Sequence, residues 1–298
     1  MVAWKMICRP KKQRGLSLRP LKEWNDVLLM KQVWKIISQK ESNWWNWVNV
    51  VKLKGRDVMD IGQEANDSRG WRQILRLRDA MKTHVHKDND GTLWWVTGEN
   101  KLKPYSTGQA WKDLRSNAAN VGWCDVIWFP QYTPKHAFIC WLAVQQRLAT
   151  QDRLKIWYPN EVFICSLCGK QEDSHSHLFF KCDFSCQVWE NTKKMLVYKG
   201  LHNELGLIIK DIARYPAGKD IRNILNRIAI TATVYYVWME RNKRQFMKMK
   251  KSVDAVSQEV VICSDLRTKI MLHMTCADVP SFSILYCELY AIGDASLL

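Results

Sequence analysis

Four side chains near the middle of the sequence have the types and spacing to hold one metal ion. Cys165-Ser-Leu-Cys168 is followed after eight residues by His177, and after four more by Cys182. Two cysteines separated by two residues let a single tight turn aim both sulfurs at one ion, and a later His and Cys close the tetrahedron from the next segment. Thiolates and imidazole suit zinc, iron–sulfur clusters and Cu(I), but a mixed set of three Cys and one His is mostly a structural zinc set. Four protein ligands leave no position open for water, so Zn2+ held here would brace the fold and perform no hydrolysis. His175 and Cys186 compete as ligands. His177 is preferred because His177-Leu-Phe-Phe-Lys-Cys182 has the four-residue gap usual for zinc and leaves Leu178 and Phe179 free to pack. The bland alternative is that these are ordinary buried thiols and surface histidines. Cysteines do favour interiors, but packing alone seldom produces this spacing.

No other constellation in the sequence points to catalysis. There is no nucleophile-elbow glycine pattern, no phosphate-binding Gly-Lys-Ser/Thr loop and no His-Glu-x-x-His pair. The carboxylates are scattered.

The residues around the quartet extend the pattern. Trp128-Phe-Pro-Gln-Tyr-Thr-Pro134-Lys-His-Ala-Phe138-Ile-Cys-Trp141 leads through Arg147-Leu148-Ala-Thr150-Gln-Asp152-Arg-Leu154 to the Cys pair, His177-Leu-Phe, Cys182 and Trp189. This stretch resembles the reverse-transcriptase zinc-binding domain found toward the C-terminal end of plant non-LTR (LINE-type) retrotransposon polyproteins, densely over residues 123–190. The opening Val2-Ala-Trp4-Lys, Cys8-Arg-Pro-Lys-Lys and Gly15-Leu-Ser-Leu is similar to the segment that follows the polymerase core in those proteins, and weaker similarity continues to Trp238-Met-Glu-Arg-Asn-Lys-Arg-Gln-Phe246.

The resemblance implies a post-polymerase connecting region over 1–106, the zinc-binding domain over 107–198, a C-terminal helical region over 199–271 and a divergent tail over 272–298. It also implies a longer Gly- and Trp-rich insertion where residues 85–106 are short. A polymerase of this class needs paired aspartates to hold two metal ions, and no Asp-Asp pair occurs in these 298 residues. The expectation is therefore a non-enzymatic, zinc-binding and nucleic-acid-binding remnant of such a reverse transcriptase. Its partners would be RNA or DNA, and a polymerase-bearing protein. The rival expectation is a structural or protein–protein interaction zinc module, even the product of a degenerate gene copy, without nucleic-acid activity.

Charge favours the first of these. A net charge of +16 and a pI near 9.4 call for an anionic partner, with nucleic acid ahead of membrane because no apolar run reaches spanning length. The first sixty residues hold thirteen Lys/Arg against five Asp/Glu, concentrated at Arg9, Lys11, Lys12 and Arg14. A second basic run, with Arg241, Lys243 and Arg244, follows an apolar helix. Both can meet phosphates as point charges; equally, the first can be a solvated arm and the second a helix C-terminus stabilised by positive charge. The ten cysteines form no disulfide framework and Met-Val-Ala-Trp-Lys has no signal-peptide core. The expectation is an intracellular chain, nuclear or cytoplasmic and not secreted.

The elements that must position the quartet are helical. Periodicity predicts a helix over 20–38 with Leu21, Trp24, Leu28, Val33, Trp34 and Ile37 inward, and a second after Ser42, which can cap it, carrying Trp44, Trp45, Trp47, Val48 and Val51. That Trp cluster reads as core, with base stacking the lesser reading. Residues 55–70 read as a polar connection, followed by a helix over 71–81. His84 and His86 read as solvated or satisfied, and Asn89-Asp-Gly91 before Thr92-Leu-Trp-Trp-Val96 reads as a hairpin. Ser106 or Thr107 can cap a helix to Arg115.

Residues 135–147 form an amphipathic helix opened by Pro134, with Phe138, Trp141, Leu142 and Leu148 on one face. Thr150 can cap a short helix, and Asp183 can cap the helix leaving the metal loop, whose Phe184, Val188 and Trp189 would meet the helix over 135–147. The run over 228–239 within a helix spanning 219–246 is apolar nearly all round, which means burial on every side. The resulting fold class is mainly α: a helical, zinc-stapled module with flanking helices and a small β-hairpin.

Overall fold

The computed structural model describes residues 2–276 apart from 116, 195, 197, 199 and 217–219, with side chains given outside 155–156 and 267–276. The chain divides into two compact units, Val2–Asn120 and Val121 onward. The tail beyond 276 and the expected helix start at Lys219 lie outside the described residues.

In the first unit, helix α1 (Leu21–Ile37) begins directly after the extended Pro20 and packs on α2 (Arg69–Met81) and α3 (Thr107–Leu114). Its buried stripe is Val27, Met30, Val33 and Ile36. The expected stripe is thus rotated: Leu21 is 84% and Leu28 42% exposed. Apolar residues occupy too much of this helix for periodicity to select one face. The compact side chains go under α2 and α3, and the large rings flank them, Trp24 edge-on to Trp111 and Trp34 stacked on Tyr105.

Ser42 does cap the next short helix (Asn43–Trp47), its hydroxyl accepting from Trp45 N at 3.1 Å. Of the bulk it carries into the following turn, Val48 is buried while Trp47 and Val51 are exposed. Residues 55–70 are more than a polar connection. Val58 and Ile61 enter the core, and the buried Arg78 donates to both of their carbonyls at 2.9 and 2.6 Å. A chain segment crossing the core must have its carbonyls satisfied, and a guanidinium does so with several donors at once.

The hairpin gains a third strand. Strands β1 (Val85–Lys87), β2 (Leu93–Val96) and β3 (Leu102–Lys103) pair antiparallel in that order, with Val85 opposite Trp95 and Trp95 opposite Lys103. Trp95 is fully buried and ties the sheet to α3, its indole N–H donating to Asp113 Oδ2 at 2.7 Å. His84 stacks on that indole with its Nδ1 2.9 Å from Val96 O, so it is a satisfied packing histidine, and His86 is exposed. Ser106 caps α3 by accepting from Gln109 N.

The second unit is built on one helix. Helices α4 (Pro134–Val144), α5 (Asp183–Lys193), α6 (Leu205–Ala213), α7 (Ile221–Asn242) and α8 (Val253–Cys276) are arranged with α7 in contact with all the others and with the short helix Cys124–Ile127. This is why its sequence is apolar all round: Ile228, Ala229, Ile230, Ala232, Val234 and Val237 are each buried, on different sides. Thr231 and Thr233 sit among them by returning their hydroxyls to Arg227 O and Ala229 O. Phe184, Val188 and Trp189 of α5 are buried as expected, but α5 packs chiefly along α8 and α7. The helices after residue 200 therefore share the core of the metal-bearing segment, whereas α3 belongs to the first unit.

The rotated stripe of α1 gives an expected outcome. Met30→Ala lowers the unfolding free energy of the first unit by about 2–5 kcal/mol, while Leu21→Ala stays within about 0.5 kcal/mol of the parent. Denaturant titration followed by far-UV circular dichroism measures both.

Candidate metal centre

Residues 163–173 form a narrow loop. Ile164 bridges Glu172, Cys165 N donates to Gln171 O at 2.7 Å, and Gly169 N returns to Cys165 O at 2.8 Å. Gly169 takes φ +66°, a left-handed conformation that glycine adopts without strain, and this closes the turn after Cys168. The next ligand lies on the short helix His175–Leu178, whose first turn is capped by Ser174 accepting from His177 N. The last sits at the N-cap of α5.

These segments bring the four donors together. The sulfurs of Cys165, Cys168 and Cys182 and one ring nitrogen of His177 all lie within 4.8 Å of one another, with Cys165 Sγ 4.0 Å from Cys182 Sγ and Cys168 Sγ 3.3 Å from His177 Nε2. A tetrahedral ion with zinc–sulfur bonds of about 2.3 Å requires sulfur–sulfur edges of about 3.8 Å, so the spread fits one ion at the centre. Cys165, His177 and Cys182 are buried and Cys168 is half-buried. His177 Nδ1 is buried without a hydrogen-bond partner, so the ring's placement follows from what Nε2 faces.

Between Cys165 and Cys182, ionisation is unequal. The contact with Cys182, assisted by the N–H groups of Cys168 and Leu167, holds the Cys165 thiol below its ordinary range, and the same contact pushes Cys182 upward. Two thiolates this close repel in a buried site, and a divalent cation between them is the chemical species that lets both ionise.

The competing ligands are placed elsewhere. His175 Nε2 accepts from Leu148 N at 3.1 Å, its ring stands against Phe179, and burial holds its pKa below the ordinary imidazole range. Cys186, a turn into α5, stands apart from the quartet.

Two expected caps are corrected. Thr150 makes no cap; the amide of Gln151 is taken instead by the Asp173 carboxylate at 2.9 Å. The cap position of α5 is Cys182, and Asp183, at the first helical residue, pairs with Lys170 across the metal loop at 2.8 Å.

Asp173 has a larger role, which sequence reasoning missed. It is wholly buried and pairs with Arg241 at the end of α7, itself 2% exposed, through both carboxylate oxygens. Ser166 Oγ, between the two cysteines, donates to Arg241 O at 3.2 Å. Arg244 donates to Leu167 O at 2.8 Å, to Glu240 Oε1 at 2.7 Å and to Lys251 O at 2.7 Å, and lies over the Phe184 ring. The metal loop is thus bolted to the end of α7 and to the turn that follows it by two arginines. Nothing in the spacing links residue 173 with 241, because the connection exists only after folding.

This corrects the expected nucleic-acid set. Arg241 is buried and the Arg244 side chain is 9% exposed, and both are committed to carboxylates and carbonyls, so neither guanidinium stands free at the surface. Lys243 is half-buried beside them. In the first unit, Arg9 and Lys11 are half-buried while Lys12 and Arg14 are exposed. The run is a built turn and no loose arm: Leu16 N donates to Ile7 O, Ser17 N to Arg9 O and Lys11 N to Ser17 Oγ. At Gly15 a Cβ would lie 1.8 Å from Arg9 O, so only glycine fits.

Comparison with known proteins agrees with the geometry. Residues 105–189 match the family described as zinc-binding in reverse transcriptase. A 113-residue stretch is 39% identical to an Arabidopsis thaliana protein named "Putative ribonuclease H protein", covering 35% of this chain and 18% of that relative. No solved structure matches the chain significantly. Among the described residues, no helix is long and apolar enough to cross a membrane.

The brace can be tested apart from the metal. Arg241→Met leaves Asp173 as an uncompensated buried charge and is expected to destabilise the second unit by about 3–5 kcal/mol. Lys248→Met, at an exposed lysine nearby, is expected to change it by less than about 0.5 kcal/mol. Chemical denaturation of the two variants checks this.

Proposed function

We propose that the second unit is a zinc-stabilised module of a protein derived from a non-LTR retrotransposon reverse transcriptase, and that it binds nucleic acid through basic surface. The observation that carries this is the convergence of Cys165, Cys168, His177 and Cys182 inside the segment that matches the reverse-transcriptase zinc-binding family. The donor set suits Zn2+, which when bound here supplies structural cross-linking and thiolate charge compensation. Cys165 and Cys168 would hold it from the loop, His177 from the short helix and Cys182 from the start of α5. With every ligand protein-derived, the role of the site is to set the geometry of the surrounding surface.

The nucleic-acid half of the reading rests on the family match and the +16 charge. Because these 298 residues lack the paired aspartates that polymerase chemistry requires, the chain's part is to hold or orient RNA or DNA for a polymerase-bearing protein. Ribonuclease activity belongs to the name of the Arabidopsis relative, of which only 18% is matched, and it is no part of this proposal.

Two measurements test the two halves. The purified chain should contain about one zinc per molecule, with X-ray absorption showing three sulfurs and one nitrogen. Cys165→Ser should lower zinc content and thermal stability together, whereas equal melting with and without chelator counts against the metal. In a salt titration, binding to RNA or DNA oligonucleotides should weaken linearly in log–log form as salt rises. No affinity at low salt removes the nucleic-acid half.

A further inference from the structure

The connection between α7 and α8 has an unusual surface. Helix α7 runs into a π turn over Lys243–Met247, and Lys248, at φ +55°, reverses the chain. Here Phe246 is 75% exposed, Met247 and Met249 are also exposed, and they alternate with the exposed Lys248 and Lys250. Those two lysines have no ion-pair partner among the described residues.

The base of the connection, in contrast, is firmly held. Glu240, buried, accepts from Arg244 Nε and from Lys251 N at 2.8 Å, so one carboxylate joins the start and end of the excursion. The Arg244 guanidinium adds bonds to Lys251 O and to Leu167 O in the metal loop. Large apolar side chains on an untethered segment would fold back onto the core. Here the segment is held at both ends, and Phe246 and its neighbours stand exposed between the tethers.

We propose that residues 246–250 form a contact for single-stranded nucleic acid, with the Phe246 ring stacking on an unpaired base and Lys248 and Lys250 meeting the flanking phosphates. This rests on the nucleic-acid reading above and names its surface. An aromatic face interleaved with lysines is the combination that single strands recognise without sequence preference. A duplex keeps its base faces covered, so it gains only from the lysines. The tethers matter because a loop ordered beforehand loses less entropy on binding. An anionic membrane offers the same charge and an apolar interior, but the match to the reverse-transcriptase zinc-binding family favours a nucleic-acid partner.

The test uses the full zinc-loaded chain and fluorescence anisotropy with a labelled oligo-uridine 20-mer, a DNA duplex of equal length, and vesicles of phosphatidylserine and phosphatidylcholine. Phe246→Ala should weaken single-strand binding about tenfold and duplex binding less than about twofold. Lys248→Glu with Lys250→Glu should weaken both and reduce the single-strand salt slope by about 1.4, two contacts' worth. Circular dichroism and zinc content of these surface variants should match the parent.

If the parent binds single strands and both variants bind as it does, the loop proposal is overturned while the nucleic-acid reading stands. If the parent binds no oligonucleotide at low salt, that reading fails and the loop proposal with it. Equal losses of Phe246→Ala on single strand and duplex overturn base stacking. Vesicle binding that depends on Phe246, with oligonucleotide binding unaffected by it, overturns the choice of partner.

Discussion

The second unit depends on a charge that has to be answered inside the protein. Asp173 is fully buried, and an isolated carboxylate in that position would cost several kcal/mol. It is neutralised from one direction by Arg241 and takes the Gln151 amide from another. Replacing such a pair with well-packed apolar side chains is often neutral or even stabilising. What the pair does require is that the loop over 163–173 meet α7 with carboxylate against guanidinium, because either charge left alone there is costly.

The quartet and the arginines divide the work between them. With an ion bound, the quartet would close the loop of Cys165 and Cys168 against the segment from His177 to Cys182, a local cross-link within eighteen residues. The arginines then join that piece to the end of α7 and the turn after it, 68 to 77 residues along the chain. Since α7 also touches α4, α6 and α8, the position of the metal loop is communicated to the whole unit through one central helix. The surface presented after α7 ends is the last link of this sequence of constraints.

The excess of positive charge is not all available to a partner. Arg78 holds the carbonyls of Val58 and Ile61; Arg227, 1% exposed, donates to the carbonyls of Asp125, Asn223 and Tyr215; Arg241 and Arg244 hold the metal loop. A guanidinium stays charged when buried and presents several donors in a fixed fork, which suits it to gathering stray carbonyls where chain segments cross. Four cations are thereby withdrawn from the surface into the interior. Net charge is thus a guide to the class of partner and a poor guide to which residues touch it.

How much of this was legible without coordinates follows from the range of each interaction. The metal quartet, the caps at Ser42 and Ser106, the Asn-Asp-Gly turn and the all-round burial of α7 depend on residues near one another in sequence, the widest span being the eighteen residues of the quartet, and residue type with spacing is enough to read them. The buried face of α1 was not legible, because six or more apolar positions were compatible with several stripes and only the arrival of α2 and α3 chose among them. The same holds for Val58 and Ile61, which looked like part of a polar connection until Arg78 paid for their burial. Most of all, Arg241 and Arg244 read as surface charge at a helix end and became the interior brace of the metal loop. A basic side chain has one sequence signature in both settings; which one it occupies is decided by what the tertiary structure brings within about 3 Å of it.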